Sequence, residues 1–373
     1  MSIKRLLKMD LKYLVAPLVS LVALIALSLL AYRGYLQHKL LKETRITAPN
    51  GIDLLEKITL GGVEQWILVR GEDISNPLLL FLHGGPGTPV MPIAREHNTI
   101  LEKHFIVVHW DQRSSGKSYN PSIPLESLTI EQFVSDAAEL AQLLRERFHK
   151  TKIFLVGHSW GSLLGVLTVY RNPSFFHAYI GMGQVVDEAR AEELGLRYVR
   201  NRAQQLGNEK AMKELAGLDP PYLDNPKDIL IQRKWLSEFG GNLQEAKTLP
   251  FLRDFDRTWV LAAVRSPDYS LLDLIRFQLG SSRVRWAMFR EFKQVNLIKT
   301  APRLEVPAYF LVGKYDYNTP VELVQEYFRI LDAPSGKEII WFENSAHSPF
   351  LEEPEKYGDI MGNKVLREAA PVE

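Results

Sequence analysis

Apolar positions along the chain follow three patterns: one unbroken run near the N-terminus, short runs bounded by turn residues, and a long central stretch with helical spacing. The unbroken run, Tyr13 to Ala31, carries no charge over 19 residues. At a rise of about 1.5 Å per residue it is roughly 28 Å long, close to the hydrocarbon thickness of a bilayer. It is longer than the apolar region of a secretory leader, about 7–15 residues, and the small-x-small triplet Ala26-Leu27-Ser28 falls inside the run. The pattern therefore predicts an uncleaved single-pass anchor. Lys4, Arg5, Lys8 and Lys12 precede the run, and Arg33, Lys39, Lys42 and Arg45 follow it. Basic residues ahead of a first and only span predict an N-terminus-in orientation, with the rest of the chain outside the cytoplasm. The stretch Gln37 to Asn50 is polar without a clear period and predicts a linker, so that residues 1–46 form anchor and linker.

Beyond it, Leu54–Leu60, Val63–Val69, Pro77–Leu82 and Phe105–Trp110 are apolar or alternating and predict strands. Thr129 opens an amphipathic helix of about 20 residues, with Thr129 and Gln132 spaced as a capping box. Lys152–Val156 predicts a buried strand, followed by a helical run that stops near Asn172-Pro173 and by a strand at Ala178–Met182. From about Gln184 to Thr300, helix formers, Trp and Arg dominate and strand signal is almost absent. Strands return at Val306–Val312 and Glu338–Phe342, with a helix after Pro320. Strands alternating with helices predict an α/β fold, a mostly parallel sheet covered on both faces. The helical block 184–300 is then a lid inserted between two parts of the core, 47–183 and 301–373, at the carboxyl ends of the strands, where ligands bind in such sheets.

Gly157-His158-Ser159-Trp160-Gly161 fits G-x-S-x-G, with an apolar strand running in and a helix running out. That turn holds a serine exposed at the end of a strand in the α/β-hydrolase fold, and its glycines let strand and helix backbones approach. A serine hydroxyl needs a base, which in this fold lies C-terminal to it, after an acid. Of nine histidines only His177 and His347 follow Ser159. His177 falls where the next strand starts, whereas His347 lies on a loop after the last strand and is the candidate base. Tyr309 to Asp316 is an apolar strand delivering Asp316 into a loop; Asp268, Asp273 and Asp332 are rivals as the acid, each in a predicted helix or its flank. The oxyanion of acyl transfer needs two backbone donors, for which Trp160 N–H and Gly85 N–H in His83-Gly84-Gly85-Pro86-Gly87 are the candidates.

Composition narrows the chemistry. Lys plus Arg total 45 against 44 for Asp plus Glu, so no broad positive field exists to hold nucleic acid. There is no cysteine, which excludes disulfides, thiolate catalysis and Cys-ligated zinc. No H-E-x-x-H occurs and the histidines are scattered, so neither a metal nor another cofactor is expected. Gly116-Lys117-Ser118 looks like the end of a phosphate loop, but Asp111 stands where that loop needs its first glycine.

His83-Gly84-Gly85-Pro86-Gly87, Trp110-Asp111-Gln112-Arg113 followed by Ser115-Gly116-Lys117-Ser118, and Gly157 to Ser162 together resemble the proline iminopeptidase (prolyl aminopeptidase) group of α/β-hydrolases. The similarity covers about Ile58 to Met182 and returns over Val306 to Tyr357. The resemblance implies a nucleophile at Ser159, an acid at Asp316, a base at His347 and oxyanion donors at Gly85 and Trp160. It also implies acyl-enzyme cleavage of an N-terminal residue from small peptides. Ser114, His158 and Ala346 depart from the group's usual glycines at those positions.

Two substrate readings stand side by side: a small peptide with a free amine, or an ester, lipid or amide with an apolar acyl chain. The first needs a carboxylate to meet the ammonium group inside an apolar cleft. Asp187, Glu188, Glu192 and Glu193 are the candidates, although an acidic cluster opening a helix also simply meets the helix dipole. The second would draw on Trp235, Trp259, Trp286 and several Phe of the lid. A catalytically silent binding module at the membrane is disfavoured, because every reactive part is present.

Overall fold

The computed structural model describes residues 11–243, 248–249 and 252–369. Eight strands form the main sheet: β1 (Ile52–Leu60), β2 (Val63–Gly71), β3 (Leu78–Leu82), β4 (Ile106–Asp111), β5 (Ile153–His158), β6 (Phe176–Met182), β9 (Ala308–Gly313) and β10 (Lys337–Phe342). Two short strands, β7 (Thr248–Leu249) and β8 (Leu252–Asp256), pair antiparallel with each other apart from it. The order across the sheet is β1-β2-β4-β3-β5-β6-β9-β10. The β1–β2 and β2–β4 pairings are antiparallel and the others parallel. β1 turns into β2 through Gly61 and Gly62, both at positive φ, as a two-residue hairpin of this twist requires.

The helices include α1 (Leu11–Glu43), α2 (Met91–His97), α3 (Ile130–Arg147), α4 (Trp160–Arg171), α5 (Glu188–Gln205), α6 (Asp228–Glu238), α7 (Arg257–Arg265), α8 (Leu271–Phe292) and α9 (Val321–Ile330); a further helix, Glu209–Leu215, and shorter helical segments lie between them and at the C-terminal end. Every residue of β3, β4, β5 and β9 is buried. Leu78, Leu80 and Leu82 pack into one core layer and Leu79 and Phe81 into the other. That is the period of two expected of strands with helices on both faces, and it explains why these strands read as continuous apolar runs. The first layer holds Phe133 and Leu140 of α3, Leu164 of α4 and Tyr327 of α9. The second holds Ile93 of α2 with Phe350, Tyr357 and Met361 from the C-terminal helices.

α3 starts as expected, with the Thr129 hydroxyl accepting from Gln132 N–H at 3.2 Å. The reciprocal half of the capping box does not form: the Gln132 side chain turns to Asp136, with Nε2 donating to Oδ1 at 2.8 Å, and its carbonyl oxygen does not take the Thr129 N–H. Asp136 is fully buried, and a buried carboxylate takes the donors it can reach. It also receives Arg113 Nε at 2.8 Å, Arg113 Nη2 at 2.9 Å and Gln65 Nε2 at 2.9 Å, while Gln65 accepts from Trp110 Nε1 at 3.0 Å.

Between β6 and β9 the chain forms α5 to α8, with a small core of its own that includes Leu196, Val199, Leu215, Trp235 and Phe289. The β7–β8 pair lies here too, in a region that reads as helical; strands of two and five residues are too short to leave a period in the sequence.

Helix α1 runs on to Glu43, through much of the stretch that reads as a linker. Arg33, Leu36, Gln37 and Leu40 are its partly buried positions there, a 3-4 spacing that turns one face to the domain and that Thr44 continues just past its end. Arg33 Nε donates to Val264 O at 2.8 Å, Arg33 Nη2 to Tyr269 O at 2.6 Å and Gln37 Nε2 to Ser266 O at 2.7 Å. Arg33 and Gln37 alternate with Leu36 and Leu40 on this face, and two leucines among polar residues are too few to announce it as a hydrophobic period.

Asp136→Ala removes the partner of Arg113, whose side chain is 2% exposed, and leaves a buried charge uncompensated. Breaking such a pair costs about 3–5 kcal/mol. Urea unfolding of Asp136→Ala is expected to show a loss of that size with an unchanged m-value.

Candidate active site

β5 ends at His158 and α4 begins at Trp160, so Ser159 stands alone between strand and helix with φ 55° and ψ −123°. A non-glycine residue in such a conformation costs about 1–3 kcal/mol and persists only where its surroundings fix it. Here Ser159 N–H donates to Met182 O at 2.9 Å, and its carbonyl accepts from Ser162 N at 2.7 Å and Ser162 Oγ at 2.6 Å. The two motif glycines are required by space: a Cβ on Gly157 would lie 2.3 Å from Gly161 O, and one on Gly161 would lie 2.1 Å from Leu82 O.

The His83–Gly87 loop follows β3 and lies beside this turn, with Gly85 at φ +119°. His83 Nδ1 donates to Gly84 O at 2.9 Å, and Nε2 accepts from Gln112 N at 3.2 Å. Burial lowers the His83 pKa to about 4, so the ring is neutral and this tautomer holds at neutral pH. The Gln112 side chain joins the two halves of the site: Nε2 donates to His83 O at 3.1 Å and Oε1 accepts from Trp160 Nε1 at 2.9 Å. The Trp160 ring is itself wedged edge-on between Phe133 of α3 and Phe292 of α8, each 5.6 Å away.

Asp316 follows β9, and His347 lies on the loop after β10. His347 Nδ1 donates to Asp316 Oδ2 at 2.9 Å. The carboxylate is held by Asn318 N and Thr319 N, both donating to Oδ1 at 2.9 Å, and by Thr319 Oγ1 donating to Oδ2 at 2.6 Å. His347 Nε2 is buried without a hydrogen-bond partner among the described residues. The ring packs so close to Gly183 that a Cβ there would lie 2.8 Å from His347 Cε1. His158 Nε2 lies 3.0 Å from His347 O and donates to it; burial, and then the neighbouring His347, lower its pKa to about 3 and keep it neutral.

Asp268, Asp273 and Asp332, the rivals of Asp316, take other partners: Asp268 binds Arg95, Asp273 caps α8 and binds Lys117, and Asp332 pairs with Arg303. His177 lies on β6.

Ser159, Gly84, Gly85 and His347 line one cavity of about 230 Å³. Its walls include Leu230, Trp259, Phe289 and Phe292, and three cationic side chains, Arg233, Arg285 and Lys293. None of Asp187, Glu188, Glu192 and Glu193 is among its lining residues. Asp187 caps α5, accepting from Arg190 N at 3.2 Å and from Asn296 Nδ2 at 2.6 Å. Glu193 is exposed. Glu188 and Glu192 are buried one layer back: Lys293 Nζ donates to Glu188 at 2.7 Å and also bonds Glu192, and Arg233 grips Glu192 with bonds of 2.8 and 2.6 Å. Burial pushes the Glu192 carboxyl up, but Arg233 and Lys293 more than offset it and leave the pKa at about 2. For Glu188 burial wins and the pKa is raised. Of the lid tryptophans only Trp259 reaches the cavity; Trp235 lies in the lid core and Trp286 is 37% exposed.

Sequence reasoning did not assign roles to Gln112, Thr319, Arg233 or Lys293. Gln112 stood inside the W-D-Q-R string without a role, and the others carry no motif.

A serine held at positive φ between a strand and a helix, facing a histidine–aspartate pair from later strand ends, defines an α/β-hydrolase architecture. The model of the alpha/beta hydrolase family matches residues 79–360, and the chain belongs to that family. It is 31% identical over 322 residues to the "Probable aminopeptidase YbaC" of Bacillus subtilis (strain 168), covering 85% of this chain and 97% of that protein. It is 26% identical over 300 residues to the "Proline iminopeptidase" of Saccharolobus solfataricus, covering 77% and 84%. Among solved structures, a membrane phospholipase A shares the fold with a TM-score of 0.60 at 18% identity, over 96% of this chain and 99% of that one.

Gln112→Ala breaks the link between the His83 carbonyl and the Trp160 ring without removing a reacting group. Loosening a catalytic constellation in this way costs on the order of 10–100-fold. The expected result is a fall of that size in kcat for an activated ester, with KM nearly unchanged.

Proposed function

We propose that the protein is a serine hydrolase that cleaves amide bonds through an acyl-enzyme, with aminopeptidase activity on small peptides resembling that of proline iminopeptidases. The observation that carries this reading is the His347–Asp316 hydrogen bond of 2.9 Å on a cavity that Ser159 also lines. In this reading His347 Nε2 takes the Ser159 hydroxyl proton as Oγ attacks the scissile carbonyl carbon. The carbonyl oxygen becomes an oxyanion facing the N–H groups of Gly85 and Trp160. His347 then gives its proton to the departing amine, the C–N bond breaks, and water repeats the sequence to release the acid. Asp316 orients the imidazole and stabilises its charged form.

A substrate ammonium would have to share Glu188 and Glu192 with Lys293. The second reading, a membrane-anchored esterase, lipase or amidase using the same triad, is favoured by the cavity wall itself. Among the described residues that wall offers Trp259, Phe289 and Phe292 but no carboxylate.

We read α1 as the anchor, a single retained span with the catalytic domain outside the cytoplasm. Its residues Val15–Glu43 have a mean hydropathy of 2.4 in their most apolar window and are unburied there. The bonds of Arg33 and Gln37 to the lid give the helix a place in the folded protein, which a leader does not need.

A fluorophosphonate probe is expected to label Ser159, and Ser159→Ala to lose both labelling and turnover while staying folded. The same preparations should be assayed on p-nitroanilides with free and blocked amino termini beside p-nitrophenyl esters of several chain lengths. Preference for the free amine selects the aminopeptidase, and indifference to it with chain-length dependence selects the esterase. Labelling that persists at another serine in Ser159→Ala overturns the assignment.

A further inference from the structure

The lid helix α8 is apolar on two opposite sides. Its inner side buries Phe277, Val284 and Met288. Its outer side, over the first turns, presents Leu271, Leu272, Ile275 and Leu279, which are 46%, 54%, 58% and 50% exposed. Leu261 and Val264 of the adjoining α7 add to the same exposure. A helix apolar all round is ordinarily buried, and an exposed apolar patch of this kind marks a contact.

The position of α1 says what covers it. The uncharged run ends at Ala31, and Arg33, two residues on, is bonded to the carbonyls of Val264 and Tyr269. Two residues of helix rise about 3 Å, so these carbonyls lie within roughly an arginine's length of the level where the span ends. Leu271 and Leu272 follow Tyr269 after one residue, Ser270. Tyr32 and Tyr35, 60% and 62% exposed, stand at the same level, where aromatic residues mark the boundary between lipid and water.

We propose that the outer face of α7 and α8 is a second membrane contact, seated in the interface of the bilayer that α1 crosses. This inference rests on the reading of α1 as an anchor. An amphipathic surface lies in that interface with its apolar side in the boundary between headgroups and acyl chains. α7 and α8 also supply Trp259, Arg285 and Phe289 to the cavity wall, so the contact places the candidate site beside the lipid surface.

The chain has no cysteine, which allows single labels on the full-length protein. Leu24→Cys, Ile275→Cys, Leu279→Cys and Leu206→Cys, each carrying an NBD fluorophore, would be reconstituted into phosphatidylcholine–phosphatidylglycerol vesicles with and without doxyl-labelled phosphatidylcholine. Labels at 24, 275 and 279 are expected to be quenched by the doxyl lipid. Those at 275 and 279 should also be blue-shifted and several-fold less accessible to iodide than the label at 206, an exposed position remote in sequence from α7 and α8. Quenching at 24 with labels at 275 and 279 as open to iodide as 206 overturns the lid contact and leaves the anchor standing. No quenching at 24 overturns both. Shielding of 275 and 279 from iodide without doxyl quenching assigns the face to a second copy or another protein and overturns the membrane contact.

Discussion

The conformation of one residue organises the molecule around it. Ser159 at φ 55° needs a strand that stops and a helix that starts with nothing between them, and glycine at 157 and 161 so that the two backbones and Leu82 can pass. Its amide is tied to the end of β6 and its carbonyl to Ser162. Ser162 Oγ in turn accepts from Val185 N at 2.9 Å, which fixes how the chain leaves β6 for the lid. Gly183 must then be small because His347 packs on it. A strained backbone at the proposed nucleophile thus sets the exit to the lid and the room left for the proposed base.

The W-D-Q-R string serves the same constraint from the other side. Its four side chains point to four tasks: Trp110 anchors on Gln65, Arg113 on Asp136, Gln112 joins the His83 loop to Trp160, and Asp111 accepts from Lys117 N of its own loop at 2.7 Å and reaches the lid through the Tyr269 hydroxyl. Burial raises the Asp111 carboxyl to about 7, the cost of holding an acid in a dry joint. Tyr269 O is also one of the carbonyls that Arg33 holds. One connected set of bonds therefore runs from the end of the apolar helix, through the lid, to the turn that carries Ser159.

The core was legible because its signals are local. Buried parallel strands are apolar runs, the serine turn is a five-residue pattern, and the order nucleophile, acid, base left His347 and Asp316 few competitors; His347 and Asp316 do meet at 2.9 Å. What was not legible depends on partners far apart in sequence. Glu188 and Glu192 read as an acidic cluster opening a helix, candidates to meet an amine; Arg233 and Lys293, 41 and 101 residues from Glu192, turn them into a buried network behind the cavity wall. The inner face of α1 is fixed by Arg33 and Gln37 bonded to lid carbonyls, with only Leu36 and Leu40 beside them, and no hydrophobic period reports that. Gln132 fits a capping box by spacing, and its side chain turns to the buried Asp136 instead of back to Thr129.

The central claim is that an acyl group passes through Ser159. The most direct test is to mix the full-length enzyme with an activated ester, quench in acid during turnover, and map the peptides by mass. The account predicts the acyl mass on the peptide that contains Gly157 to Gly161, on Ser159, and its accumulation when deacylation is slowed. Turnover with no covalent adduct at all, or an adduct on another residue with Ser159 unmodified, would contradict it.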